Sequence, residues 1–113
     1  MKIISKQTGG GKTTELLKIS AEKKMPIISA YGGDYIENVL KLRAKILNLE
    51  IPEPFSWYEI QQGKHRGKQY PGFLIDDIDY ILERDLSAPI YAASITTCKN
   101  LIDYKEVEKY KEK

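Results

Sequence analysis

The sequence predicts an α/β fold three layers deep, with helices on both faces of a small, mostly parallel sheet of about four to five strands. Three observations carry this. Short apolar runs of strand type alternate with longer stretches whose apolar residues recur at helical spacing. Glycines and prolines punctuate the boundaries between them. At 113 residues and 42% hydrophobic content, the chain is near the lower size at which such a core folds without staples, so residues 1–113 read as one domain.

The elements follow in order. "KIIS", residues 2–5, reads as a buried strand, and from Lys12 to about Lys24 the residues Leu16, Leu17 and Ala21 recur at helical spacing before Pro26 stops the helix. "PIISAY" is a second β-type run. After the "GGD" turn, Asp34 is placed to cap a helix whose apolar positions are Ile36, Val39, Leu40, Ile46 and Leu47, ended by Pro52 and Pro54. "PFSWYEIQQG" predicts a very short strand and a helix of one or two turns capped by Ser56, and "KHRGKQYPG" a polar loop. "FLID" is a third strand, "DIDYILERDL" a helix and "PIYAASI" a fourth strand; the remainder reads as mostly helical. The end "EVEKYKEK", residues 106–113, is a solvated helix end or a frayed tail. Alternation of this kind implies right-handed crossovers and parallel pairing.

The stretch "KIISKQTGGGKTTELLK" places three glycines between a strand and a helix. A helix N-terminus presents unpaired N–H groups and about half an elementary positive charge, and glycines let those groups curl round a phosphate oxygen. Gly9, Gly10 and Gly11 supply that freedom, Lys12 a point charge for the β- and γ-phosphates, and the Thr13 hydroxyl a ligand for Mg²⁺; Thr14 completes the cofactor-binding set. The pattern G-x-x-x-x-G-K-[ST] is met except at its first glycine, where Lys6 stands. A changed loop path there slows hydrolysis or weakens binding.

Phosphoryl transfer also needs a carboxylate for the metal's water shell and a second to polarise water, both at a strand tip facing the cradle. "GFLIDDID" offers Asp76 for the metal and Asp77 for the water, so that Lys12 and Asp77 are the candidate catalytic residues. The competing reading makes Asp76, Asp77 and Asp79 first-turn acids favoured by the helix dipole. Ser94, Thr96 and Thr97, after the fourth run, sit where a γ-phosphate sensor or a plain solvated strand end would lie.

In this order the motifs resemble those of P-loop NTPases of the additional-strand catalytic-acid type, in particular a reduced first RecA-like domain of helicases and terminase large subunits. "KQTGGGKTT" resembles their Walker A, whose first glycine is often missing in terminases and some helicases, and "FLIDDID" resembles Walker B. "PIISAYGGDYIENVL", "PFSWYEI" and "IYAASITT" are similar in placement to motifs Ia, Ib and III. Small standalone proteins of this layout occur in phage and prophage genomes, and "KTTELLK" with "GFLIDDIDYIL" resembles them. The resemblance implies a three-layer P-loop fold binding ATP or another NTP with Mg²⁺. It implies weak or partner-dependent hydrolysis, with an oligomer or partner protein supplying an arginine finger, and a place in the cytoplasm, the host's if the chain is phage-encoded. "KTTELL" is also similar to the loop of thymidine kinases, whose zinc site one cysteine cannot build. The alternative is a non-catalytic nucleotide- or nucleic-acid-binding module on the same fold, favoured by Lys6, the short Asp77 and the missing finger.

Composition narrows the rest. Net charge is only +2 with 30% charged residues, so nucleic-acid contact needs a local patch. Lys64, Arg66 and Lys68 with His65 and Tyr70 form one, weighed against a merely solvated loop. Arg66 and Arg84 are the candidate trans fingers. Phe55, Trp57 and Tyr58 read as an adenine shelf or, more simply, as core. Cys98 forms no internal disulfide, His65 is the only histidine, and no apolar run reaches membrane-spanning length.

Overall fold

Three short strands, β1 (Ile27–Ser29), β2 (Phe55–Ser56) and β3 (Leu74–Ile75), pair in parallel in the order β2-β1-β3. The structure, a computed structural model, describes residues 1–5 and 11–96. Ile28 stands opposite Phe55 on one side and Ile75 on the other, so β1 is central. All three of its residues are buried, as expected of a parallel strand covered on both faces. The chain divides into two units, Met1–Lys12 with Tyr91–Lys113, and Thr13–Ile90, and the sheet belongs to the second.

Helix α1 (Lys12–Lys23) buries Leu16 and Leu17, as the sequence spacing marks, but the third buried position is Ser20, and Ala21 is only half-buried. Its end is a left-handed turn at Lys24 (φ 58°), and the Ser20 hydroxyl donates to the Met25 carbonyl at 2.7 Å, which satisfies a buried polar group. The chain then enters β1.

Between β1 and β2 runs a helical stretch in three pieces: α2 (Gly33–Tyr35), a π-helical segment (Ile36–Lys41) and α3 (Leu42–Ile46). Ile36, Leu40 and Ala44 are buried along it. Residues four apart drift by about 40° per step on a regular α-helix. The wider π turn, with its i→i+5 bonding, lets three such residues share a face. This departs from the expected uniform α-helix, and it leaves Ile46 and Leu47 exposed instead of in the core. Asp34 is not the cap either: the N-cap is Gly32, with no side-chain bond, and Asp34 lies in the first turn. Gly32 makes a close approach at the cap: a Cβ there would stand 3.3 Å from the Ser56 Cβ, so the neighbour would have to give by a few tenths of an ångström.

The short strand and short helix expected after Pro54 are present as β2 and α4 (Trp57–Gln61). Ser56 caps α4 in a reciprocal box: its hydroxyl accepts from the Glu59 N–H at 3.1 Å, while the Glu59 carboxylate accepts from the Ser56 N–H at 3.0 Å. Lys41 bridges Glu37 and Glu53, tying the π segment to the approach to β2. Helix α5 (Ile78–Leu86) follows β3 and buries Ile81. Trp57 joins α4 to α5 by donating its indole N–H to Asp85 at 3.0 Å.

The first and fourth strands differ from expectation. In "KIIS" only Lys2 makes an isolated bridge, and "PIYAASI" has no regular structure, with residues 91–96 all exposed. A run of β-prone residues becomes a strand only where a ladder partner and a packing face are supplied. The sheet of the described residues therefore has three strands rather than four or five. The expected C-terminal helix and the tail at 106–113 lie outside the described residues. No helix among the described residues is long and apolar enough to cross a membrane.

Candidate functional site

Parallel strands send all their C-terminal ends to one edge, and ligands of open α/β sheets bind at that edge where the strand order reverses. Here the reversal is at β1, since the chain goes from β1 to β2 on one side and then crosses to β3 on the other. Residues just past β1 and β3 meet at that edge: Ala30 and Tyr31 from one, Asp76 and Asp77 from the other.

Asp76 is 4% exposed, directly after β3, and its N–H donates to the Ile28 carbonyl of β1 at 2.9 Å. The Thr13 hydroxyl in the first turn of α1 donates to Asp76 Oδ2 at 3.3 Å. Residues 63 positions apart in the chain are thereby joined in one polar cluster. An ionised carboxylate is costly to bury without partners, and here it lies beside a hydroxyl and the backbone of the central strand. Two hard oxygen donors side by side suit Mg²⁺, which keeps several of its waters and takes only one or two protein ligands. Among the described residues no larger group of His, Cys, Asp and Glu could hold a metal.

Asp77 is the N-cap of α5 and has left-handed backbone geometry, φ 54° and ψ 57°. Aspartate tolerates this region better than most residues, and such conformations are retained where surrounding structure over-determines them. Gly11 also has positive φ, 87°, which glycine adopts without penalty. Lys12 opens α1 and belongs to the first unit, whereas Thr13 and Thr14 are half-buried in the second. Gly9 and Gly10 lie outside the described residues, as do Lys6, Thr97 and Cys98. Ser94 and Thr96 are exposed in irregular chain.

Three tyrosines that the sequence did not single out, Tyr31, Tyr35 and Tyr80, form a cluster of rings beginning just past β1. The rings of Tyr31 and Tyr35 are 5.0 Å apart and those of Tyr31 and Tyr80 5.4 Å. Burial, and next the negative charge of Asp76, hold the Tyr35 phenol above its ordinary pKa, while a hydrogen-bonding interaction with Thr13 acts the other way. The Tyr31 phenol is raised chiefly by its hydrogen bond with Tyr80. The signal available in sequence was positional: "AYGGDY" follows the central strand, where side chains reach the ligand edge. Arg84 is at the same edge, with Nη1 donating to the Ala30 carbonyl at 2.6 Å and the guanidinium 6.0 Å from the Tyr80 ring centre.

Next to it, an open cleft of about 750 Å³ runs between the ends of β1 and β2, lined by Gly32, Ser56, Tyr58 and Arg84 among others. Phe55 is core, while Tyr58 is exposed. The loop after α4 turns through Gly63 and Gly67, both at positive φ. His65 packs edge-on against Phe73 and Tyr70 against Phe55 and Phe73, whereas Lys64, Arg66 and Lys68 are exposed and have no ion-pair partner among the described residues. The loop thus holds its rings inward and its charges outward.

Compared with protein-family models, curated proteins and solved structures, the chain matches none of them.

Proposed function

We propose that this protein binds ATP or another nucleoside triphosphate with Mg²⁺ at the N-terminus of α1 and hydrolyses it weakly or only with a partner, as a small P-loop NTPase of the helicase and terminase type. The observation that supports this most is the contact of Thr13 with Asp76. The hydroxyl of the G-K-T motif and the first carboxylate of "FLIDDID" would share one metal, and nothing in their local sequences requires them to meet. The strand order supports the fold that this reading needs. Right-handed crossovers from β1 outward to β2, and from β2 back across to β3, call for connections on opposite faces, which is the three-layer arrangement.

In this reading the glycine run Gly9, Gly10 and Gly11 with Lys12 would meet the phosphates, Thr13 and Asp76 would hold the ion, and Asp77 would orient the attacking water. Bound Mg²⁺ would neutralise charge on the phosphate oxygens. An arginine finger would come from a second copy or a partner protein.

Measuring ATP binding and turnover with Mg²⁺ for wild type, Lys12→Ala and Asp77→Asn tests this. Turnover lost in Asp77→Asn with binding intact supports the enzyme. Equal binding by wild type and Lys12→Ala refutes the cradle.

A second reading is an accessory module of phage or prophage origin that binds nucleotide or nucleic acid without catalysis. The observation that favours it is the loop presenting Lys64, Arg66 and Lys68 to solvent without ion-pair partners among the described residues. Binding of Mg·ATP without turnover, even with DNA present, is the outcome that selects it.

A further inference from the structure

The groups that line a cleft bond a ligand with the donors and acceptors left over from their contacts within the chain. Ser56, 7% exposed, lines the cleft between the ends of β1 and β2. Its oxygen accepts from the Glu59 N–H, and its own proton has no acceptor among the described residues. Arg84 uses one N–H of its guanidinium fork on the Ala30 carbonyl, and Lys64, on the same lining, has no ion-pair partner among the described residues. Carboxylates share these walls. Glu37 and Glu53 both accept from Lys41, Glu59 closes the α4 cap and Asp85 accepts from the Trp57 indole, yet each keeps lone pairs to spare. Donors and acceptors are thus interleaved around about 750 Å³, a size that holds one small molecule. A phosphate only accepts and would face the acids, while an ammonium only donates and would face Arg84 and Lys64, so walls of both signs disfavour either ion. A hydroxyl donates and accepts at once and carries no charge. Tyr58, 65% exposed, adds an aromatic surface to the lining, and the negative face of such a ring attracts the weakly positive C–H groups of a sugar.

We propose that this cleft is a second ligand site, for a neutral polyhydroxylated ring: a free sugar or the sugar of a nucleoside. Ser56, Arg84 and Lys64 donate to its oxygens, the carboxylates accept its hydroxyl protons, and its C–H face lies on Tyr58. Acidic side chains past the ends of parallel strands hold sugar hydroxyls in other open α/β sheets, which is the chemistry these positions offer. The site stands independently of the Mg·NTP reading, since no residue assigned there to phosphate, metal or water lines the cleft.

The test is a ligand-observed NMR titration of the full chain, without Mg²⁺ or nucleotide triphosphate, using ribose, glucose, adenosine and thymidine. Ribose 5-phosphate and glucosamine serve as the anionic and cationic counterparts. At least one neutral probe is expected to bind, with its charged counterpart about fivefold weaker or more. Tyr58→Ala is expected to weaken that binding about two- to tenfold while Tyr58→Phe, which keeps the ring, leaves it intact. Lys64→Met is expected to weaken it by a similar factor, the range of one net hydrogen bond, at about two- to tenfold. Both side chains are exposed, so the melting temperature stays at the wild-type value in all three variants. A nucleoside bound more tightly than either free sugar assigns the nucleoside, and equal or weaker nucleoside binding assigns the free sugar. Absence of binding by all four neutral probes overturns the proposal. So does tighter binding of ribose 5-phosphate or glucosamine than of the neutral sugar, or neutral binding that survives both Tyr58→Ala and Lys64→Met unchanged.

Discussion

Thr13 and Asp76 illustrate how much chemistry a single long-range hydrogen bond can organise. Asp76 is buried, and its Oδ2 accepts from Thr13 at 3.3 Å, a long separation for an O–H···O bond. A cation between the two oxygens would replace a weak contact with two stronger ones. Asp76→Asn keeps the shape and removes the charge, so the Mg²⁺ concentration needed for half-maximal ATP binding is expected to rise about tenfold or more, read from ATP affinity measured across a series of MgCl₂ concentrations. A second prediction concerns Tyr35, whose phenol is raised above its ordinary 10.0 mainly by burial. A folded state that holds a proton more tightly than the unfolded chain loses stability as pH rises past the unfolded value and through the folded one. Thermal melts taken from about pH 9 upward are expected to show a shallower alkaline decline for Tyr35→Phe than for wild type. An identical decline in both would remove Tyr35 from the explanation.

At the scale of elements, α1 and α4 are stabilised in different ways. Helix α1 rests on buried apolar side chains, with Leu17 fully buried. Leu17→Ala is expected to cost about 2–5 kcal/mol, measured by urea unfolding, because both transfer energy and a cavity are involved. Leu82→Ala on exposed α5 surface serves as the comparison, with an effect within about 0.5 kcal/mol. Helix α4 spans only Trp57–Gln61, too short to persist by propensity, and depends on its capping box. Ser56→Ala is expected to cost about 1 kcal/mol in the same assay. The capping signal was legible because the Ser-x-x-Glu pattern is local, whereas the π turn was not. That turn answers a demand for burial at Ile36, Leu40 and Ala44, set by neighbours distant in sequence.

Over the whole molecule, a net charge of +2 gives no general attraction for nucleic acid. Any such binding is expected to depend on the loop of Lys64, Arg66 and Lys68, whose rings pack inward while its charges face solvent. If a single strand binds through these three cations, replacing all of them with alanine should lower the slope of log affinity against log salt by about 2. Fluorescence anisotropy with a labelled oligonucleotide at several salt concentrations measures that slope. An unchanged slope would leave the loop as a solvated surface. Arg84, by contrast, is engaged with the Ala30 carbonyl, and acting as a finger toward a second copy would require giving up that bond.

Periodicity and local punctuation in the chain were enough to specify α1, the β1 run, the capped α4 and the helix after "FLID", because each depends on side chains within a turn or two of one another. The two motifs also assigned Thr13 and Asp76 to one metal. The contact between those two came from tertiary structure alone, since it requires β3 to lie beside β1 with the first turn of α1 at the same sheet edge. The same holds for the tyrosines around that edge and for the failure of "PIYAASI" to become a strand among the described residues. Both are decided by which surfaces the fold brings near a segment, and that depends on interactions across tens of residues which no local pattern encodes.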